Sequence, residues 1–203
     1  LECIRALREV GAQIGIVVGG GNIVRGANSV NFSRAQADAM GMLGTVINAI
    51  ALEDVLNAGN VPARAYSAIE INRLLPPFRR QDVIEQLEEG VVTIFGAGTG
   101  NPFLTTDTTA ALRALEIDAQ LLIKATKVDG VYSADPVTHP DAKRFEKISA
   151  AECLQMGLKI MDAAAFSLCQ AHRLPIVVCS FKSPQNLVNI LNGDFSAGTL
   201  VSF

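Results

Sequence analysis

The chain contains no tryptophan and only two tyrosines, too few aromatic faces for a platform on which nucleic-acid bases would stack. An excess of either charge is also missing. Seventeen Lys and Arg stand against 20 Asp and Glu, a net charge of −3, which argues against a dedicated nucleic-acid binder or a polybasic membrane anchor. No unbroken apolar stretch approaches the roughly 18 residues of a membrane span, and the termini lack a signal-peptide layout. Cys3, Cys153, Cys169 and Cys179 include no C-x-x-C pair. They read as small core hydrophobes in a reduced, cytoplasmic compartment. His139 and His172 are the only histidines, so no His-rich metal site can be assembled and no metal ligand is assigned. The absence of G-x-x-x-x-G-K-[ST] excludes an ordinary P-loop, and Gly19–Gly21 does not complete G-x-G-x-x-G. No Ser-His-Asp or Cys-His arrangement is evident.

What is present is a chain of 203 residues, 49% hydrophobic, enough for one large α/β domain over residues 1–203 with a sizeable core. Ile4, Leu7 and Val10 form a helical stripe that Gly11 stops. Ile14–Val18 reads as a strand buried on both faces. A long helix is expected from Ser33 to Leu56, then a strand at Ala63–Ser67, a helix at Gln81–Glu89 stopped by Gly90, and a buried strand at Val91–Phe95. Thr106 or Asp107 should cap a helix running to Glu116, with a strand at Gln120–Lys124 after it. Ser149-Ala150-Ala151-Glu152 matches a capping box. Met161–His172 reads as helix and Ile176–Cys179 as strand. Pro184 should open a last helix at its first position, and Thr199–Phe203 should add an edge strand. The alternation predicts a mainly parallel, twisted sheet covered by helices on both faces.

In such sheets ligands sit at the carboxyl ends of the strands, which points to three loops. Gly19-Gly20-Gly21-Asn22 removes side chains where backbone N–H groups can meet an anion, and Arg25 adds a cation suited to phosphate. The plainer alternative is a tight turn with a surface arginine. Between Gly98 and Asp107, the hydroxyls of Thr99, Thr105 and Thr106 could read a polar base or sugar edge, and Asp107 at a helix start could help to hold Mg²⁺; the alternative is a solvated loop with a threonine cap. From Thr126 to Asp135, Tyr132 could pack on a purine while Lys127 and Asp135 serve phosphate and ribose. The alternative there is a charged turn at Asp129-Gly130.

Several segments resemble the bacterial UMP kinases of the amino-acid-kinase family. They are Gly19-Gly20-Gly21-Asn22-Ile23-Val24-Arg25-Gly26, Asp38-Ala39-Met40-Gly41-Met42-Leu43, Gly98-Thr99-Gly100-Asn101-Pro102-Phe103-Leu104-Thr105-Thr106-Asp107, Lys124 to Tyr132, and Lys159-Ile160-Met161-Asp162. The resemblance implies an amino-acid-kinase fold that transfers the ATP γ-phosphoryl group to UMP, with Mg²⁺, giving UDP and ADP for pyrimidine nucleotide synthesis. It implies that UMP is held by Gly20, Asp38, Thr99, Gly100, Asn101, Pro102, Phe103, Leu104, Thr105 and Thr106, with Asp38 at the ribose and the threonine-rich loop around the uracil. ATP falls to Gly21, Arg25, Thr126, Tyr132 and Asp135. Asp107, Asp162 and Arg25 would organise the transfer.

The chemistry agrees with that assignment, because phosphoryl transfer asks mainly for alignment and charge neutralisation. The resemblance also implies a homohexamer with GTP activation and UTP inhibition, and the apolar helix around Met40–Leu56 is either its interface or a buried central helix. Leu104 stands where the family usually carries Phe, and the stretch between Gly26 and Asp38 is short. Nothing in the chain matches the family's Lys-x-Ser-Gly phosphate loop. Leu1 opens inside a helical pattern, so a preceding segment with the first strand is expected. One rival reading is a family member acting on a carboxylate, a carbamate or a different phosphate. A second is a non-catalytic protein on this fold that binds or stores a nucleotide or oxyanion.

Overall fold

A computed structural model describes residues 1–24 and 32–203. Among the described residues the helices are α1 (Glu2–Glu9), α2 (Arg34–Ala58), α3 (Arg80–Glu88), α4 (Thr106–Glu116), α5 (Ala150–Gln155), α6 (Ala163–His172) and α7 (Pro184–Leu191). The strands are β1 (Gly15–Val17), β2 (Ala63–Ser67), β3 (Val92–Gly96), β4 (Leu122–Thr126), β5 (Lys147–Ser149), β6 (Ile176–Ser180) and β7 (Gly198–Ser202). They form two compact units, one of Leu1 with Gly11–Ile117 and one of Glu2–Val10 with Asp118–Phe203.

The first unit holds a parallel sheet in the order β1-β3-β2, with Ile16 opposite Ile94 and Ala65 opposite Ile94 on the other side. Every residue of β3 is buried, because both of its faces are covered. Gly96 faces α2, where an added Cβ would touch Ala49. One residue earlier, Phe95 points the other way into a cluster with Tyr66, Val83 and Leu87, and so packs under α3. Period-two alternation thus yields an apolar run when helices lie on both sides. The same argument fails for β1, which was expected to be buried on both faces. Among the described residues it is an edge strand, and its residues are exposed or half-buried.

Ser33 starts α2 by accepting a hydrogen bond from the Gln36 N–H, the ordinary service of an N-cap serine. The helix is 25 residues long and, by length and composition, apolar enough to cross a membrane. Thr45, Asn48 and Glu53 interrupt the apolar run in the sequence. In the structure the helix packs against β2 and β3, burying Ala37, Thr45, Val46, Ala49 and Leu56. Leu43, Ile47 and Val55 stay about half exposed, so α2 is not buried all round.

The second unit holds a four-stranded sheet in the order β4-β6-β7-β5, parallel except for the antiparallel β6–β7 pair. The last strand was expected at an edge. It lies between β6 and β5, because the three-residue β5, too short to leave a pattern, takes the edge. Helix α1 packs against α7 and buries Cys3, Ile4 and Leu7, whereas Val10 lies past its end and is exposed. The capping box forms as expected: the Ser149 side chain accepts from the Glu152 N–H, and the Glu152 carboxylate accepts from the Ser149 N–H. All four cysteines are buried free thiols, and burial pushes the Cys169 thiol up to about 11.

Candidate functional site

Three segments of the first unit converge at the carboxyl ends of β1 and β3. After β1 the chain turns sharply, and the Gly20 carbonyl accepts from the N–H groups of both Ile23 and Val24. Gly20 passes against α2 so closely that a Cβ there would lie 2.4 Å from the Gly41 carbonyl oxygen and 3.0 Å from the Thr45 nitrogen. Only glycine fits at that contact. The turn is strapped to the helix by Asn48, whose Nδ2 donates to the Gly19 carbonyl at 2.6 Å and to Asn22 Oδ1 at 2.7 Å.

The loop after β3 is held in an unusual conformation. Ala97 and Phe103 have φ of 63° and 70°, and Gly98 and Gly100 are left-handed too. A non-glycine residue in that region costs roughly 1–2 kcal/mol, and such strain gathers where a fixed shape serves a site. Its anchors are identifiable. The buried Ala97 N–H donates to Thr45 Oγ1 at 2.7 Å, and that hydroxyl donates to the Met42 carbonyl. The Phe103 N–H donates to Asp38 Oδ2 at 2.8 Å. Arg113, buried on α4, donates from Nη2 to the Gly98 carbonyl at 3.4 Å, pairs with Glu116, and lies 4.0 Å over the Phe78 ring. Thr99 and Asn101 are knit together through side chain and backbone.

Helix α4 begins earlier than expected, with its cap at Thr105 in place of Thr106 or Asp107. Thr105 is the N-cap and accepts from the Thr108 N–H at 3.2 Å, so Thr106 and Asp107 stand in the first turn. A carboxylate there is favoured by the helix dipole.

These segments enclose a cleft of about 460 Å³, within the range of roughly 300–1,000 Å³ usual for small-molecule sites. Gly20, Asp38, Thr99, Asn101, Leu104, Thr105 and Thr106 line it, as do Gly21, Arg34, Met42 and Thr45. Gly100, Pro102 and Phe103 shape its loop without lining it. Gly21, which the resemblance gave to ATP, lies on this wall with the residues given to UMP. Arg25 lies outside the described residues. Arg34, Thr45, Asn48 and Arg113 escaped the sequence reading. Their work is done through backbone carbonyls, backbone N–H groups, the Asn22 amide and the carboxylates of Asp38 and Glu116, and no sequence pattern marks such partners.

In the second unit, Thr126 ends β4 and its hydroxyl accepts from the Val128 N–H at 3.1 Å, closing the turn that follows. Tyr132 donates to Asp129 Oδ1 at 2.7 Å, and this bond holds its phenol pKa above the ordinary value. Asp135 accepts from the Val137 N–H, and its carbonyl accepts from His139. Lys127 is exposed. Arg144, which the sequence reading missed, fastens this loop by donating to the carbonyls of Asp129, Gly198 and Ser196.

The same unit brings two of the signature segments together. Lys124 Nζ donates to the Ile160 carbonyl at 2.8 Å, two residues before Asp162. Asp162 proves to be the N-cap of α6, with Oδ1 accepting from Ala164 and Ala165, so that helix starts two residues later than expected. At the carboxyl end of β6, Ser180 stands in register with Thr126. Its hydroxyl is buried with no hydrogen-bond partner among the described residues.

A glycine turn against a helix and a fixed threonine-rich loop frame the cleft of the first unit, and the second unit carries a polar loop cluster of its own. The sequence pattern of the amino acid kinase family matches residues 1–180, and the chain belongs to that family. It is a kinase, a phosphotransferase of the amino-acid-kinase fold. The chain is similar to the crystal structure of UMP kinase from Ureaplasma parvum, with 36% identity and a TM-score of 0.91, covering 100% of this chain and 88% of that one. It is similar also to UMP kinase from Bacillus anthracis, with 34% identity and a TM-score of 0.92, over 98% of this chain and 83% of that one. Uridylate kinase from Archaeoglobus fulgidus matches at 26% identity and a TM-score of 0.70, over 98% and 90% of the two chains.

Proposed function

We propose that the chain transfers the γ-phosphoryl group of ATP to UMP, giving UDP and ADP. The observation that carries this reading is the cleft of the first unit. Its walls bring together Gly20, Asp38, Thr99, Asn101, Leu104, Thr105 and Thr106, residues from three separate stretches of sequence. A carboxylate on one wall suits sugar hydroxyls. The polar, fixed loop opposite suits a base edge, and Gly20 and Gly21 leave room for a phosphate. The likeness to two UMP kinases at 34% and 36% identity supports the same acceptor.

ATP is assigned to the second unit, at Thr126, Tyr132 and Asp135; the family resemblance also gives it Gly21 and Arg25. The buried, unpartnered Ser180 hydroxyl beside Thr126 supports a polar ligand at this end of the sheet. In the transfer a γ-phosphorus–oxygen bond of ATP breaks and a UMP phosphate oxygen bonds to that phosphorus, leaving ADP. The acceptor is already anionic near neutral pH, so the protein's task is to align two repelling phosphates and neutralise them.

Among the described residues no group of three or more His, Cys, Asp or Glu forms a ready-made metal cage. Mg²⁺ ordinarily binds through one or two carboxylates together with substrate phosphates, and Asp107 would supply a donor of that kind. When bound, the ion would neutralise phosphate charge.

The half-exposed Leu43, Ile47 and Val55 of α2 are the surface we assign to self-association into the hexamer implied by the family resemblance. Regulation by GTP and UTP is carried by that resemblance alone.

The deciding experiment is an ADP-release assay with Mg·ATP that compares UMP, CMP, AMP, acetylglutamate and aspartate as acceptors. A response confined to UMP is expected. Turnover with acetylglutamate or aspartate would move the acceptor to another member of the family, and silence with every acceptor despite ATP binding would leave a nucleotide-binding protein.

A further inference from the structure

Asp38 does not stand alone in the cleft. Arg34, one helical turn before it, places Nε 2.9 Å from Oδ1 and 2.7 Å from Oδ2, and the Phe103 N–H occupies a further site on Oδ2 at 2.8 Å. The carboxylate is largely covered, with 14% of its side chain exposed against 50% for Arg34.

Helix stability does not explain this pair. Arg34 is the first residue of α2, where a cation faces the positive end of the helix dipole. The order, base before acid at a spacing of four, is also the less favourable one for a helical ion pair. Both choices run against the helix, and both serve the cleft that Arg34 and Asp38 line together.

An ionised carboxylate offers about four acceptor positions. Arg34 shares one N–H across both oxygens and Phe103 takes another position on Oδ2. Among the described residues, Oδ2 is therefore filled and Oδ1 keeps a single opening. We propose that Arg34 is a positioning residue that acts through Asp38, fixing the carboxylate so that the one open position on Oδ1 reads one sugar hydroxyl of the acceptor nucleotide. The same grip fixes the threonine-rich loop, because the Phe103 N–H, on a residue with φ of 70°, is tied to the carboxylate that Arg34 holds. This inference rests on the reading of the cleft as the acceptor-nucleotide site.

The test is a double-mutant cycle of Arg34→Ala and Asp38→Ala, read by calorimetric binding of UMP and by kinetics. Arg34→Ala should weaken UMP about tenfold, the worth of one charge-assisted hydrogen bond. That loss should appear in the KM for UMP, with kcat and the KM for ATP little changed. It should also narrow the preference for UMP over its 2′-deoxy or 3′-deoxy analogue, whichever lacks the hydroxyl that is read. In the Asp38→Ala background the Arg34→Ala change should cost nothing further. Arg34→Lys, which keeps a cation, should recover part of the loss and replaces Arg34→Ala should that variant fail to fold.

A second readout needs no nucleotide. Hydrogen exchange at the Phe103 amide should quicken severalfold in Arg34→Ala. If the loss persists in the Asp38→Ala background and falls equally on ribo- and deoxyribonucleotides, Arg34 touches the phosphate directly and the positioning role is overturned. Unchanged exchange at Phe103, or intact sugar discrimination in an Arg34→Ala protein that still binds UMP, would overturn it as well. Failure of the wild-type protein to bind UMP is a different result, removing the functional reading and the sugar-hydroxyl assignment together.

Discussion

Two residues set the shape of the cleft through their contacts with backbone. Gly20→Ala would drive a methyl group to 2.4 Å from the Gly41 carbonyl oxygen, and both sides of that contact are backbone. Overpacking of this kind costs roughly 1–3 kcal/mol. The variant should therefore unfold at lower denaturant and bind UMP weakly even below its melting temperature, as calorimetry on the folded protein would show. Thr45→Val keeps the shape of the side chain but removes the oxygen that accepts from the buried Ala97 N–H. An orphaned buried donor costs roughly 1–3 kcal/mol, so chemical denaturation should show a loss of that order, and Thr45→Ser should restore most of it. A Thr45→Val protein as stable as wild type would mean that the Ala97 N–H finds another partner. Asp38 and the threonines were legible from the sequence because they sit in segments resembling a known family. Thr45 and Asn48 were not, because a hydroxyl or amide aimed at backbone 52 or 29 residues away leaves no local trace.

At the scale of elements, legibility followed locality. The box at Ser149 and Glu152 closes within four residues, so the sequence contains all of its partners. Its titration is correspondingly simple. Hydrogen bonds from the Ser149 hydroxyl and N–H hold the Glu152 carboxyl below its ordinary value of 4.5. A carboxyl whose pKa is lower folded than unfolded adds stability above the unfolded value and loses it as pH falls through the folded one. The difference in melting temperature between wild type and Glu152→Gln should hold near pH 7 and shrink as pH drops below about 4.5. A pH-independent difference would place the effect elsewhere. Strand order is the contrasting case. Thr199–Phe203 reads as a strand from its own residues, but the interior position of β7 depends on β5, three residues of Lys147–Ser149 whose composition marks nothing. The edge position of β1 was equally hidden, since Ile16 and Val17 look the same in an edge strand as in a central one.

For the molecule as a whole, the proposed sites divide along the chain. The cleft residues given to the acceptor belong to the unit of residues 11–117, and Thr126, Tyr132 and Asp135 belong to the unit that holds residues 118–203. Asp107 falls in the first and Asp162 in the second. Two ligands should then leave two footprints. With UMP alone, hydrogen exchange should slow across residues 98–106 and the start of α2, where the Phe103 N–H meets Asp38. A non-hydrolysable ATP analogue alone should slow residues 126–137, where the Thr126 and Asp135 side chains close turns. Each ligand should also raise the melting temperature, because binding to the folded state adds about 2.7 kcal/mol at a concentration one hundred times its Kd. Protection of the same segment by both ligands would break the assignment of acceptor and donor. A footprint of UMP on residues 126–137 would reverse it. The experiment separates these outcomes without relying on turnover, so it tests the division of binding even where the transfer itself is slow.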